Sequence, residues 1–442
     1  MLFGSSIMLN RNFKRCREII PVAKKAGANI NREAITNILL VGELIGDLMP
    51  FEGFDSNYYR TNNSPSESFL KDKSLLLNEA DKSLSTISPA DCYAIYDDIV
   101  HGAIESMPDD LDTVMGISGG RDSRHIALAM KRCGRRAPRM VTARHFLGNA
   151  SETDVAVAQM LSHRLGNSIE IAGQPNDRFL VEWDKNVLTG MQTLSHSWGL
   201  SLASSLKGSE VLLDGMNGGV LFGRAGLLRS AILKFGSKKP TTEELCQHVI
   251  STLFENPLSV LKRWVPPSFI NHEILDSIRQ RLRECFVEYS DFENPIQAFL
   301  YGEHVRRNTQ LFTYCLMENE FVACPLDTLE IVKFALSLPW SLSTDHRFQD
   351  KAISLRYPDF DDLPYAEALG VIPPPSVPDV KSEKGSWERI RNILKPHLTE
   401  DGLGFLDSSR TNLGVIQRST LVAQAIYWQD HGELPLAVEL AR

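Results

Sequence analysis

The chain has 442 residues, 43% hydrophobic and 23% charged, which suffices for a sizeable core and suggests two or three domains. A formal net charge of −8 excludes an overall basic footprint for nucleic acid, and the seven cysteines contain no CxxC pair, against a zinc site or disulfide framework. No run of about 18 apolar residues occurs, so no membrane span is expected. The mildly apolar start precedes its positive charges (Arg11, Lys14, Arg15), the reverse of a secretory signal, so a cytoplasmic protein is expected.

In chain order, residues 17–50 carry one helical candidate, with Ala34, Ile35, Ile38 and Leu39 at helical spacing before Gly42. Residues 57–68 are polar and read as a loop or linker. At Ser88-Pro89-Ala90-Asp91 a capping serine, a proline at the first helical position and an acid at the third predict a helix running to about Met107. Strands are then predicted at 113–117, 139–143, 168–172 and 211–213. Helices are predicted between them at 123–133 and 152–165, with 176–207 mostly helical. This alternation predicts an α/β fold, a parallel sheet with helices on both faces, whose ligands bind beyond the carboxyl ends of the strands. A mostly helical C-terminal part follows, with helices at 227–235, 241–254, 273–289, 296–318 and 329–338. The Pro-rich run at 373–378 is a loop leading to a helix from Trp387.

Between the first strand and its helix stands Ser118-Gly119-Gly120-Arg121-Asp122-Ser123. Two glycines let a phosphate approach the main chain, consecutive amides face the anion, and the helix N-terminus adds attraction. Ser118 and Ser123 offer hydroxyls. Asp122, an acid where phosphate would bind, calls for a bridging cation, and Mg2+ with oxygen ligands is the natural one. A glycine turn without a ligand is the bland alternative. Arg121 and Arg124 are readable as phosphate contacts or as salt-bridged side chains.

These residues resemble the pyrophosphate-binding (PP-loop) signature of the N-type ATP pyrophosphatases, and several further stretches are similar to asparagine synthetases. Glu152-x-Asp154-x3-Ala158-x2-Leu161 resembles the family's acidic helix start, although the two acids are equally readable as helix-dipole caps. Residues 214–224 resemble the family's second loop, with Gly219 at the position of its second metal-binding aspartate; the sequence leaves open whether Asp214 replaces it. Residues 320–327 resemble a stretch in which Glu320 would serve the acceptor site, with Val322 where the family has arginine; the bland reading of Glu320 is a structural charge. Lys351-x3-Leu355-Arg356 resembles a motif after which a loop lysine stabilises charge in the transition state, making Lys381 and Lys384 candidates, or else ordinary exposed lysines. Residues 34–54 resemble the tail of the glutamine amidotransferase domain, but Leu2 stands where that domain has its cysteine nucleophile.

The resemblance implies a PP-loop (HUP-like) synthetase module over 88–442, preceded by a remnant or linker region at 1–87. It implies an ATP-dependent, AMP-forming carbon–nitrogen ligase using ATP and Mg2+. The expected nucleotide contacts are Ser118, Gly119, Gly120, Arg121, Asp122, Ser123, Val141, Ala143 and Gly215, with Asp122 also the metal ligand. The partners implied are a small-molecule or peptide carboxylate and an amine or ammonia, or a separate amidotransferase, with no nucleic acid and no membrane. Thr193, Ser195 and His196 are candidates for the substrate side. A degenerate relative that binds nucleotide without turnover is the alternative, motivated by Gly219 and Val322.

Overall fold

The computed structural model describes residues 15–54, 84, 87–108, 111–144, 151–173, 177–207, 210–222, 226–236, 238–309, 321–345, 347–370, 372 and 380–437. Five parallel strands form one sheet in the order β3-β2-β1-β4-β5: β1 Thr113–Gly116, β2 Arg139–Arg144, β3 Ile169–Gly173, β4 Val211–Leu213 and β5 Phe321–Ala323. Neighbouring strands are in register at Gly116 with Val141, Val114 with Leu212, and Leu212 with Val322. The chain moves outward from β1 to β3, then returns to lay β4 on the other side of β1. The order therefore reverses between β1 and β4, where an open α/β sheet leaves a crevice beyond its carboxyl edge.

The helices are α1 Arg15–Ala26, α2 Arg32–Val41, α3 Pro89–Glu105, α4 Asp122–Arg132, α5 Ser151–Arg164, α6 Arg178–Leu188, α7 Gly199–Ser204 and α8 Gly218–Leu221, with a mostly helical remainder. Alternation along the strands sends neighbouring side chains to opposite sheet faces. Val114, Val141, Leu212 and Val322 pack with Leu202 of α7 on one face. Met115, Met140, Leu213 and Ala323 join the main core on the other, which also takes in Ile126 of α4 and Leu161 of α5. Local chemistry sets the ends. Ser88 caps α3 by accepting from the Asp91 amide at 3.2 Å, and Asp177 caps α6 by accepting from Leu180 at 3.1 Å.

Three expectations are corrected. The one helical candidate read within 17–50, ending before Gly42, is α2, but the stretch holds a second helix, α1, set apart where Gly27 takes the left-handed conformation (φ 62°) and Asn31 starts α2 by capping the Ala34 amide at 3.2 Å. The strand missed in sequence is β5: its three residues, read only as part of a motif, are too short for a periodic signal. The helix expected from Trp387 begins at Val380, so α17 (our label for Val380–Leu394, after α9 Gly226–Phe235, α10 Thr242–Ile250, α11 Asn256–Leu261, α12 His272–Val287, α13 Pro295–Phe299, α14 Leu329–Ser337, α15 Trp340–Ser343 and α16 Phe348–Arg356) contains both candidate lysines. The loops expected at 57–68 and 373–378 lie outside the described residues.

The N-terminal helices share the common core. Ile35, Ile38 and Leu39 of α2 are fully buried. Arg418 donates to the Leu39 carbonyl at 2.7 Å and Trp428 to the Ala28 carbonyl at 2.8 Å, both from the last long helix, Leu413–His431. Among the described residues no helix is long and apolar enough to cross a membrane.

Candidate functional site

A cleft of about 520 Å3 opens at the carboxyl ends of β1, β2 and β4. Its walls include Ser118, Asp122 and Ser123 after β1, Val141 and Ala143 at the end of β2, and Asp214, Gly215 and Asn217 after β4. Trp198 and Leu202 add an apolar side, and His196 and His304 a polar end. The cleft therefore lies at the reversal of strand order.

The loop at 118–123 turns sharply into α4 and satisfies its own amides. Ser118 N–H donates to Ser123 Oγ at 3.1 Å, Gly120 N–H to Ser118 Oγ at 3.2 Å, and Gly119 N–H to the Asp154 carboxylate at 3.1 Å. An anion entering here would exchange with hydroxyls and one carboxylate rather than displace rigid backbone partners. Burial pushes the Asp154 carboxyl up from its ordinary value against the lowering effect of the Gly119 amide. A Cβ on Gly119 would lie 2.6 Å from the Ala366 Cβ and 2.9 Å from Asp154 Oδ1, so only glycine lets these elements close on the loop.

Asp122 begins α4, half-buried at the cleft. Its Oδ1 accepts from Gln349 Nε2 at 2.6 Å and its Oδ2 from the Gly219 amide at 3.0 Å. The position read as a missing second acid thus serves through its main chain. The loop carrying Gly219 approaches closely: a Cβ on Gly218 would fall 2.0 Å from Asp122 Oδ1, and one on Gly215 3.0 Å from the Ser123 nitrogen. Gln349 is fully buried on α16, and its Nε2 also reaches the Tyr96 hydroxyl at 3.2 Å, while its Oε1 has no hydrogen-bond partner. Asn217 between the glycines takes φ 82°, and its buried carboxamide is hydrogen-bonded at neither atom.

The two arginines turn from the cleft. Arg121 forms an ion pair with Asp350 and another with Glu367 at 2.6 Å. Arg124 donates to the carbonyls of Leu363 at 2.9 Å and Pro364 at 2.5 Å. Both guanidinium groups stack on the Tyr365 ring, at 3.9 and 4.0 Å from its centroid. Ala366 N–H donates to the Gly119 carbonyl at 3.0 Å, so residues 363–367 clasp the back of the loop. Arg121 was expected among the nucleotide contacts; its guanidinium holds this clasp instead.

At the polar end, His304 meets Glu43 at 2.9 Å; burial opposes its protonation, but the carboxylate prevails and raises its pKa. His196, at φ 70°, is pushed down to about 3 by desolvation and by the positive charges of His304 and Lys185. Lys185 is itself buried, donating to the Thr193 carbonyl at 2.7 Å.

Of the expected residues, Ser118, Asp122, Ser123, Val141, Ala143 and Gly215 come together along the cleft, with His196. Gly119 and Gly120 lie in the same loop. Lys384 is exposed on α17, 3.9 Å from Glu388, and does not line the cleft. Lys381 sits on the first turn of the same helix, not on a loop, and Glu320 lies outside the described residues. Gln349, Asn217, Asp154 and His304 complete the site. Asp154 and Asn217 lie in stretches that the sequence singled out; Gln349 and His304 do not, and enter through packing. Among the described residues no three His, Cys, Asp or Glu side chains group to hold a metal. Compared with known proteins, the chain matches no protein-family model and no curated protein.

Proposed function

We propose that the chain is an ATP-dependent, AMP-forming ligase that adenylates a carboxylate and then forms an amide. The observation that carries this reading is the placement of the 118–123 loop at the strand-order reversal, opening with Asp122 onto one cleft. Its amides and hydroxyls suit the pyrophosphate portion of ATP, and Val141, Ala143 and Trp198 offer an apolar side for the base. The residues also suit a magnesium–nucleotide pair: Asp122 supplies a carboxylate at the cleft, and Gln349 Oε1 is a buried acceptor with no hydrogen-bond partner. Magnesium bound there would offset phosphate charge.

In the first step a carboxylate oxygen attacks the α-phosphorus, the bond to the α,β-bridging oxygen breaks, and pyrophosphate leaves toward the loop. In the second, an amine nitrogen attacks the acyl carbon, the carbonyl carbon–oxygen bond to AMP breaks, and the nitrogen loses a proton to solvent or base. Holding the two substrates in one cleft supplies much of the rate. Neutral His196 lines its polar end, where the acyl or amine substrate would sit.

The test is ATP–pyrophosphate exchange across a panel of carboxylic acids, beside Asp122→Ala. Exchange with one acid, lost in the variant, is expected. ATP binding without exchange for any acid, with or without amines, would favour a second reading: a nucleotide-binding relative without turnover. The engagement of both Asp122 oxygens by neutral donors is what favours that alternative.

A further inference from the structure

We propose that Gln349 is a second protein oxygen ligand for a divalent cation at Asp122, taking the place of a second carboxylate. The inference deepens the ligase reading and rests on it for the cation's purpose. Three observations converge. First, Gln349 Nε2 lies 2.6 Å from Asp122 Oδ1, in direct contact with a carboxylate that lines the cleft at the end of the loop. Secondly, its Oε1 is buried and has no hydrogen-bond partner, an arrangement that native interiors rarely keep without a use. Thirdly, a Cβ on Gly218 would fall 2.0 Å from Asp122 Oδ1 and 2.8 Å from Gln349 Nε2, so the bare glycine keeps a space for this pair.

The orientation of Gln349 follows from charge. Without a cation, the ionised carboxylate needs a donor, so the NH2 end faces it. With a cation between them, a half-turn of the terminal amide brings Oε1 to the same place. Two neighbouring oxygens on an octahedral Mg2+ at ~2.1 Å stand roughly 3 Å apart, close to the present separation. Tyr96 accommodates both orientations. Its hydroxyl now accepts from Nε2 at 3.2 Å, and after the turn it would donate to Oε1. One carboxylate and one carboxamide leave the remaining positions to phosphate oxygens and water, as Mg2+ prefers.

The experiment measures Mn2+ binding by electron paramagnetic resonance, with α,β-methylene-ATP present, for the full chain and for Gln349→Met and Gln349→Glu. The Met variant keeps the volume and removes the oxygen; binding should weaken at least tenfold. The Glu variant restores a second carboxylate; binding should tighten severalfold. If Gln349 only donates to Asp122, the Glu variant sets two carboxylates against each other without gain, and binding weakens. That result, or Mn2+ affinity equal in wild type and the Met variant, or no Mn2+ binding by wild type, overturns the proposal. Unfolding midpoints with Mn2+ and with EDTA guard against misfolding, since a ligand variant loses only the metal-dependent increment. Binding of the nucleotide in EDTA is measured separately. Its absence beside Gln349-dependent Mn2+ binding sinks the ligase reading and leaves the cation pair standing. Nucleotide binding with Mn2+ affinity indifferent to Gln349 does the reverse.

Discussion

Gly218→Ala probes how closely the second loop is laid against Asp122. The added Cβ would stand 2.0 Å from Asp122 Oδ1, 2.4 Å from its Cγ and 2.8 Å from Gln349 Nε2. No methyl fits there, so the carboxylate or the loop must move. Overpacking of this kind costs about 1–3 kcal/mol. If the carboxylate swings away, its hydrogen bond from Gln349 is lost as well, which for a charged acceptor is worth ~1.5–3 kcal/mol. The two losses overlap, and we expect about 3 kcal/mol of destabilisation in equilibrium urea unfolding, with weaker stabilisation by Mg–ATP. Gly404→Ala is the control: it lies inside the helix Glu400–Ser409 with nothing within 4 Å of its added Cβ, and should be stabilised by about 0.5–1 kcal/mol. A Gly218→Ala chain within ~0.5 kcal/mol of wild type, with an unchanged response to Mg–ATP, would refute the packing described here.

Gly119→Ala should destabilise by about 1–3 kcal/mol and cut ATP affinity at least tenfold by calorimetry, because its Cβ would press to 2.6 Å from Ala366 and open the clasp; unchanged affinity would separate the loop from the nucleotide. Glu210, bound by Arg139 at 2.7 Å through both oxygens, has its pKa lowered first by that hydrogen bond. A depressed carboxyl stabilises the fold above its unfolded pKa and loses that contribution as pH falls through the folded value. Glu210→Gln should therefore lose about 2 kcal/mol at pH 7 and show a shallower acid limb in pH-dependent unfolding; equal loss at pH 7 and pH 3 would contradict the linkage. His196, with a folded value of about 3, should remain neutral through pH 5–8 in its imidazole NMR shifts. Its depressed pKa makes stability fall as pH drops below the unfolded value of about 6.5, and His196→Asn should flatten that slope; a midpoint near 6.5 in the folded chain would count against the desolvated cleft end.

The sequence made the sheet legible where strands were long enough to carry a pattern and were followed by helices. β4 was found at three residues because Asp214 and the loop after it marked its end, whereas β5, equally short, was read only as part of a motif. The loop itself was legible because its chemistry is local: two glycines, two serines and an acid within six positions. What surrounds Asp122 was not. Gln349 reaches it from 227 positions away, along the face of a helix whose sequence shows only a motif around Lys351. That lysine points instead to Asp345 at 2.5 Å. Asn217 stood within the motif at 214–224, but its left-handed backbone was not legible there, being set by the close approach of that loop to Asp122. The arginines were open from sequence between phosphate and salt bridge, and the ring of Tyr365 with Asp350 and Glu367 settles where they point.

The central claim is that a carboxylate oxygen attacks the α-phosphorus of ATP in this cleft. It is tested most directly with a carboxylic acid labelled with oxygen-18, taking the acid that supports the most exchange, in the presence of amine and Mg–ATP. The account predicts that AMP acquires one labelled oxygen in each turnover and that pyrophosphate acquires none, as read by mass spectrometry. Label in inorganic phosphate with ADP as co-product, or amide formed with unlabelled AMP, would contradict it.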